Sequence, residues 1–141
     1  MTGVYVAVAA LILAAALGLV WRSRNGVMRA RPEQEGADVE RLGAVELGAE
    51  LGERATLLQF SSAFCAPCRA TRRVLTDVAG MVEGVAHVEI DAESHLDLVR
   101  RLNVLRTPTV FVLDGSGAIV RRGSGLPRKA DIVAALGETT S

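Results

Sequence analysis

The two cysteines of this chain, Cys65 and Cys68, stand two residues apart in Phe64-Cys65-Ala66-Pro67-Cys68-Arg69. Thiols at that spacing can exchange disulfides: one thiolate attacks a substrate sulfur, and the second attacks the mixed disulfide and releases the product. The flanking sequence supplies the position this chemistry needs. Thr56-Leu57-Leu58-Gln59-Phe60 is strand-like. Beyond the pair, Ala70, Val74, Leu75 and Val78 recur as an inward stripe, with Arg69, Thr71, Arg72 and Arg73 outside. The pattern predicts a helix from about Cys65 to Val82, ended by Gly84. The first N–H groups of a helix lack intrahelical partners, and its macrodipole is positive at that end. A thiolate there is stabilised, which lowers its pKa from about 8.5 into roughly the 3.5–7.5 range. Cys65 is therefore the candidate attacking thiolate, and Cys68, one turn inside, the candidate resolving thiol. Pro67 suits the first helical turn, where its fixed φ fits and its missing N–H was unpaired anyway. Arg69, Arg72 and Arg73 add positive potential, screened where exposed.

C-x-x-C also serves as half a zinc site, and zinc needs four ligands. The chain has no other cysteine, and its histidines, His87 and His95, have seven residues between them. That is not a paired-ligand spacing. Two inert buried thiols would explain neither the spacing nor the strand-to-helix context. The redox reading explains both, and no metal is expected.

The elements that position the pair occupy a chain of 141 residues with a formal net charge of +0, enough for one domain and an appendage. Neutrality gives no support for nucleic-acid binding. Lys129 is the only lysine among many arginines, a usage expected of a GC-rich bacterial genome. Residues 1–21 carry no charged side chain, and Val4–Val20 is apolar apart from Tyr5 and Gly18. About 20 such residues span a bilayer, with Tyr5 and Trp21 at interfacial positions. A cleaved signal peptide needs a basic start and a small-residue cleavage site after the apolar run. No basic side chain precedes the run, and Ala14-Ala15-Ala16 lies inside it. Residues 1–21 are accordingly expected to be an uncleaved anchor in the lipid bilayer. Arg22, Arg24, Arg29 and Arg31 follow the span and none precedes it, so the positive-inside rule puts the C-terminal side in the cytoplasm.

Residues 22–38, with Gly26, Pro32 and Gly36, read as a juxtamembrane linker, 39–137 as the folded domain and 138–141 as a tail. Within the domain, RLGAVELGAELGER gives a short helix packing Val45, Leu47 and Leu51, and Val85–Asp91 alternates as a strand. Glu93–Leu102 is expected to be helical with Leu96, Leu98, Val99 and Leu102 inward. Thr109–Leu113 is an apolar strand, and Asp114-Gly115-Ser116-Gly117 a hairpin turn. Ala118–Arg122 returns as an edge strand broken by Gly123-Ser124-Gly125. Arg128–Leu136 is a closing helix with Ile132, Val133 and Leu136 inward. The order αβαβαββα predicts an α/β fold, a mixed sheet with helices on both faces.

LLQFSSAFCAPCRATRRVL, VAHVEID and VLRTPTVFVLDGSG together resemble the thioredoxin family, over about residues 40–137. C-x-P-C followed about 40 residues later by T-P-T is a specific combination. The resemblance implies a thioredoxin-like fold and a disulfide reductase acting on protein disulfides in cell redox homeostasis. It implies that Pro108 is a cis-proline beside the pair, with an exposed backbone edge at Thr107 for a substrate strand. Phe64, Ala66, Pro67, Thr107 and Pro108 are thus the expected substrate-binding residues. Phe64 stands where the family usually has Trp, and Ala66 where glycine is familiar. The family's buried acid falls at Gln59 and its lysine partner at His87. Gln59 exchanges no proton at ordinary pH, so a relay at Gln59 and His87 would depend on the histidine, which titrates near neutrality. No nucleotide or flavin signature is present; no cofactor is expected, and electrons would come from an upstream protein donor. Two competing classes are an extracytoplasmic thiol-reducing assembly factor of the cytochrome c maturation type and a non-catalytic binding module.

Overall fold

The structure, a computed structural model, describes residues 1–24, 26–30 and 40–139. The first element, α1 (Thr2–Arg24), has no buried residue. Its mean hydropathy reaches 2.5, and it is long and apolar enough to cross a membrane. A soluble core helix would be packed against something; α1 is not.

A five-stranded sheet follows, in the order β1-β5-β4-β2-β3. Its strands are β1 (Arg29–Ala30), β2 (Ala55–Ser61), β3 (Val85–Asp91), β4 (Thr109–Asp114) and β5 (Ile119–Ser124). β2 and β3 are parallel and the other neighbours antiparallel, which is the expected mixed sheet. The helices of the domain are α2 (Ala44–Leu47), α3 (Ala66–Met81), α4 (Leu96–Arg101) and α5 (Lys129–Glu138). Every residue of β2 is buried, because both faces of the sheet are covered. Leu58 and Phe60 point into one core with Leu47, Leu98, Phe111 and Ile119. Ala55 and Leu57 point into the other, with Leu75 and Val78 of α3 and Ile132 of α5. Alternation along β2 therefore turns Gln59 toward α3, the helix that the cysteine pair opens.

Several expectations are corrected. Thr71 is fully buried rather than outward; its hydroxyl donates to the Pro67 carbonyl at 2.9 Å, which satisfies the one polar group that burial would otherwise strand. Val45 is 98% exposed, because α2 is a single turn that inserts only Leu47. Leu96 and Val133 are also exposed, and Ala135 takes an inward place in α5. Glu93–Leu102 is not one helix. A 3₁₀ turn at Ala92–Ser94, capped by the Asp91 carboxylate accepting from Glu93 N–H, precedes α4, and His95 between them is non-helical.

β5 is not an edge and is not broken at Gly123: it runs to Ser124, and β1 pairs along its outer side, Arg29 against Arg122 and Ala30 against Arg121. Its arginines are engaged. Arg121 pairs with Glu138, and Arg122 lies 4.9 Å over the Phe111 ring and donates to the Leu102 and Asn103 carbonyls. The segment read as a linker thus contributes a strand and a core residue, Met28. Gly123 makes room for it: a Cβ there would stand 2.6 Å from Met28 Sδ. Of that segment, residue 25 and residues 31–38 lie outside the described residues.

Candidate active site

β2 delivers the chain to Ser61, and Ser62 to Phe64 turn it into α3 with Cys65 as N-cap. Cys65 has extended backbone, and its carbonyl accepts from Cys68 N–H at 3.2 Å. Pro67 lies in the first turn, and no acidic residue does. The positive helix end is thus left to whatever charge the sulfur carries. Cys65 and Cys68 are joined as a disulfide, with Cα atoms 5.2 Å apart. Cys65 is partly exposed, whereas Cys68 is 2% exposed. Cys65 is thus the more accessible residue of the pair.

The pair lies on a cleft of about 700 Å³ whose wall includes Phe64, Ala66, Arg69, Arg72, Glu89 and Asp91. Phe64 is fully exposed beside Cys65. The Thr107–Pro108 peptide bond is cis, as expected. Thr107 is joined to the loop before Cys65 by a 3.0 Å hydrogen bond between the Ser62 and Thr107 hydroxyls. Pro108 is buried and Thr107 partly exposed.

Beneath the pair, Gln59 is fully buried and every polar atom of its side chain is used. Its amide N–H groups donate to the Cys68 carbonyl and the Ser61 hydroxyl, both at 2.9 Å. The Cys68 carbonyl can only accept, which fixes the amide orientation and leaves Gln59 Oε1 as an acceptor. His87 Nε2 lies 3.1 Å from that oxygen and must carry a proton to bond it. Nδ1, 3.3 Å from the Thr76 hydroxyl, is then the accepting nitrogen of a neutral ring. Burial holds the His87 pKa below its ordinary value of 6.5; Glu89 opposes that shift and Arg72 adds to it. The sequence points to Gln59 and His87 as a relay. They are in contact, but the amide stands between the imidazole and the cysteine pair and ends on the Cys68 backbone. Gln59 positions the first turn of α3.

Two wall residues, Arg72 and Glu89, are not singled out together by the sequence. Arg72 Nη2 donates to Glu89 Oε1 at 2.6 Å, in a two-pronged pair with Nε on the other oxygen. The Arg72 bond, more than any other contact, holds the Glu89 carboxyl below its ordinary value, and burial opposes it. A partial signal exists: Glu89 is Gln59's partner in the β2–β3 register, and Arg72 lies one turn beyond Cys68. Neither fact pairs them without the strand order.

The family model for thioredoxin matches residues 46–138. The chain belongs to the thioredoxin family. It is 25% identical over 97 residues to a rice (Oryza sativa subsp. indica) H-type thioredoxin, covering 68% of this chain and 75% of that one. It is 33% identical over 60 residues to human thioredoxin domain-containing protein 2, covering 43% of this chain but 11% of the human protein. Among solved structures, a chloroplastic thioredoxin z aligns with a TM-score of 0.59 at 23% identity, over 74% of this chain and 96% of that one. A mutant thioredoxin from Halobacterium salinarum NRC-1 aligns with a TM-score of 0.57 at 21% identity, over 63% and 77%. These structural likenesses concern the fold. The thioredoxin domain and its C-x-x-C pair together fit a thiol–disulfide oxidoreductase.

Proposed function

We propose that this protein is a membrane-anchored thiol–disulfide oxidoreductase that reduces protein disulfides and so maintains cell redox homeostasis. The observation that carries the reading is the asymmetric pair at the N-terminus of α3: an accessible Cys65 and a covered Cys68, already joined. In the reduced protein, the Cys65 thiolate attacks one sulfur of a substrate disulfide and expels the other as a thiolate. Cys68 then loses its proton and attacks Cys65 Sγ, releasing the second substrate sulfur as a thiol and closing the Cys65–Cys68 disulfide. Two electrons pass from the dithiol to the substrate, and an upstream protein donor returns them. Because Gln59 exchanges no proton, the Cys68 proton leaves through water in the cleft that Cys68 itself lines. The Thr107 backbone edge, Pro108, Phe64, Ala66 and Pro67 form the platform for the substrate chain, which would add as a strand.

The apolar helix and the arginines after it support an anchor with the redox domain on the cytoplasmic side. Insulin reduction with dithiothreitol as donor tests the activity: the full chain in detergent should catalyse it, and Cys65→Ser should return it to background. Catalysis by Cys65→Ser at the parental rate removes the reading. Cys68→Ser should accumulate mixed disulfides, which a non-catalytic binding module would not. Fusions after Ser141 test the side: alkaline phosphatase inactive and green fluorescent protein bright on the cytoplasmic reading, the reverse pattern on the extracytoplasmic one.

A further inference from the structure

The anchor and the redox pair are tied to the same end of the sheet. Two residues after α1 ends, Gly26 N–H donates to the Ser124 carbonyl at 2.7 Å. Ser124 is the register partner of Thr109, and Thr109 that of Phe60. Gly26, Ser124, Thr109 and Phe60 therefore form one row across β1's entry, β5, β4 and β2. At about 4.8 Å per strand spacing, that row is roughly 14 Å wide. Its far end leads directly into the loop carrying Cys65, and its middle is the cis-proline corner, where Gly125 N–H donates to the Pro108 carbonyl at 2.8 Å.

The junction is built for close approach. Gly26 has φ +79, and a Cβ on it would stand 2.0 Å from the Leu126 carbonyl oxygen. Met28, two residues on, is inserted into the core. From Gly26 on the chain is thus held against the domain, two residues after the end of α1, a helix with no buried residue.

Two further observations point the same way. A cavity of about 370 Å³ at the junction is lined by Trp21, Arg24, Val27, Arg29 and Arg106, the last adjoining Thr107. An interfacial tryptophan beside arginines suits the headgroup layer of an anionic membrane. Phe64, Leu105 and Leu126, in three separate loops at this end of the sheet, are all exposed.

We propose that the Cys65–Cys68 pair faces the bilayer surface, and that its redox partner is a protein of the same membrane whose disulfide lies at that surface. The proposal rests on the anchored oxidoreductase reading and narrows its substrate class. Electron transfer is the two-step exchange already described, with the partner's disulfide reduced to two thiols and the Cys65–Cys68 dithiol oxidised.

The test uses the reduced full chain in vesicles of phosphatidylcholine and phosphatidylglycerol, in a single turnover without added donor. The probes are two synthetic transmembrane peptides, each bearing one disulfide loop, at the lipid surface in one and lifted about 30 Å by a rigid helical extension in the other. The surface loop should be reduced at least about tenfold faster, because its effective concentration at the pair is higher. A flexible Gly-Ser spacer inserted after Asn25, which lifts the docked domain, should erase that preference. The same spacer after Gln34, beyond the docked strand, should keep it. Equal rates for the two peptides, faster reduction of the lifted loop, or identical behaviour of the two spacer variants overturns the proposal. Insulin distinguishes the failures. If insulin is reduced and the preference is absent, the orientation fails alone; if neither insulin nor either peptide is reduced, the oxidoreductase reading fails with it.

Discussion

The two longest helices, α1 and α3, are built on opposite rules. In α1 the apolar residues run all the way round, and none is buried. In α3 they share the helix with arginines, and Cys68, Thr71, Leu75 and Val78 are buried at intervals of three and four residues. A helix apolar on every side needs an apolar surround that this domain does not provide. A helix with one apolar stripe is placed by the sheet it covers. The difference explains why α3 can hold a sulfur pair in a fixed relation to β2, while α1 has no packed face against the domain.

One leucine from each helix breaks the comparison most sharply. Leu75→Ala should destabilise the soluble domain by about 2–5 kcal/mol, the usual result of emptying a fully buried leucine site. Leu13→Ala, in α1, should leave urea unfolding of the domain within about 0.5 kcal/mol of the parent. A comparable loss at Leu13 would mean that α1 packs on the domain. Next in size, Leu13→Arg should disfavour membrane insertion by about 2.5–3.5 kcal/mol, read as a shift of the chain from the membrane to the soluble fraction, with the folded domain intact.

The site beneath α3 gives the third expectation. Gln59→Leu removes the side-chain donor to the Cys68 carbonyl and the acceptor of the His87 ring N–H, and should cost about 1–3 kcal/mol by leaving buried polar groups under-satisfied. Gln59→Glu sharpens the functional side. A carboxyl there could take the Cys68 proton, and general-base help is typically worth about 10²–10⁴-fold. Stopped-flow reduction should show a faster resolving step that titrates with pH. An unchanged rate in a folded variant would mean that water already removes that proton without delay.

The smallest effect is a pH dependence. The folded pKa of His87 lies below 6.5, so the unfolded chain binds more protons over the interval between the two values. The stability contributed by neutral His87 is fully present above that interval and is lost as the pH falls through it. The urea midpoint should decline between about pH 7.5 and about pH 5. His87→Gln should flatten that decline, because an amide can still donate to Gln59 Oε1 without titrating. An equal decline in the variant would assign it to other groups.

Much of this molecule is legible in local pattern. The run of apolar residues before Trp21 is legible as a helix long and apolar enough to cross a membrane. The strand at Thr56–Phe60, the alternating Val85–Asp91 and the Asp114–Gly117 turn are each specified by a few neighbouring side chains, and all three occur as expected. The cysteine pair is legible because strand, C-x-x-C and helix stripe adjoin in sequence. The structure departs from pattern where an amphipathic stripe is narrower than its apolar residues suggest, at Leu96 and Val133, or where a polar residue faces inward, at Thr71. In those places short elements and i−4 hydrogen bonding decide, and neither leaves a periodic signal.

The sequence by itself determined the reactive groups and the elements: two thiols at exchange spacing, a helix start to hold them, and an apolar segment long enough to cross a membrane. Tertiary structure alone decided which residues share the site. Gln59 meets His87 and the Cys68 carbonyl because β2 lies between β3 and the start of α3. Arg72 meets Glu89 because the β2–β3 register sets that strand beneath the helix. The segment after α1 reaches the active-site end of the sheet because Gly26 and Gly123 let two backbones approach closely and Met28 finds room in the core. Such contacts join residues far apart in the chain, and their existence depends on strand order and register, which local composition does not encode.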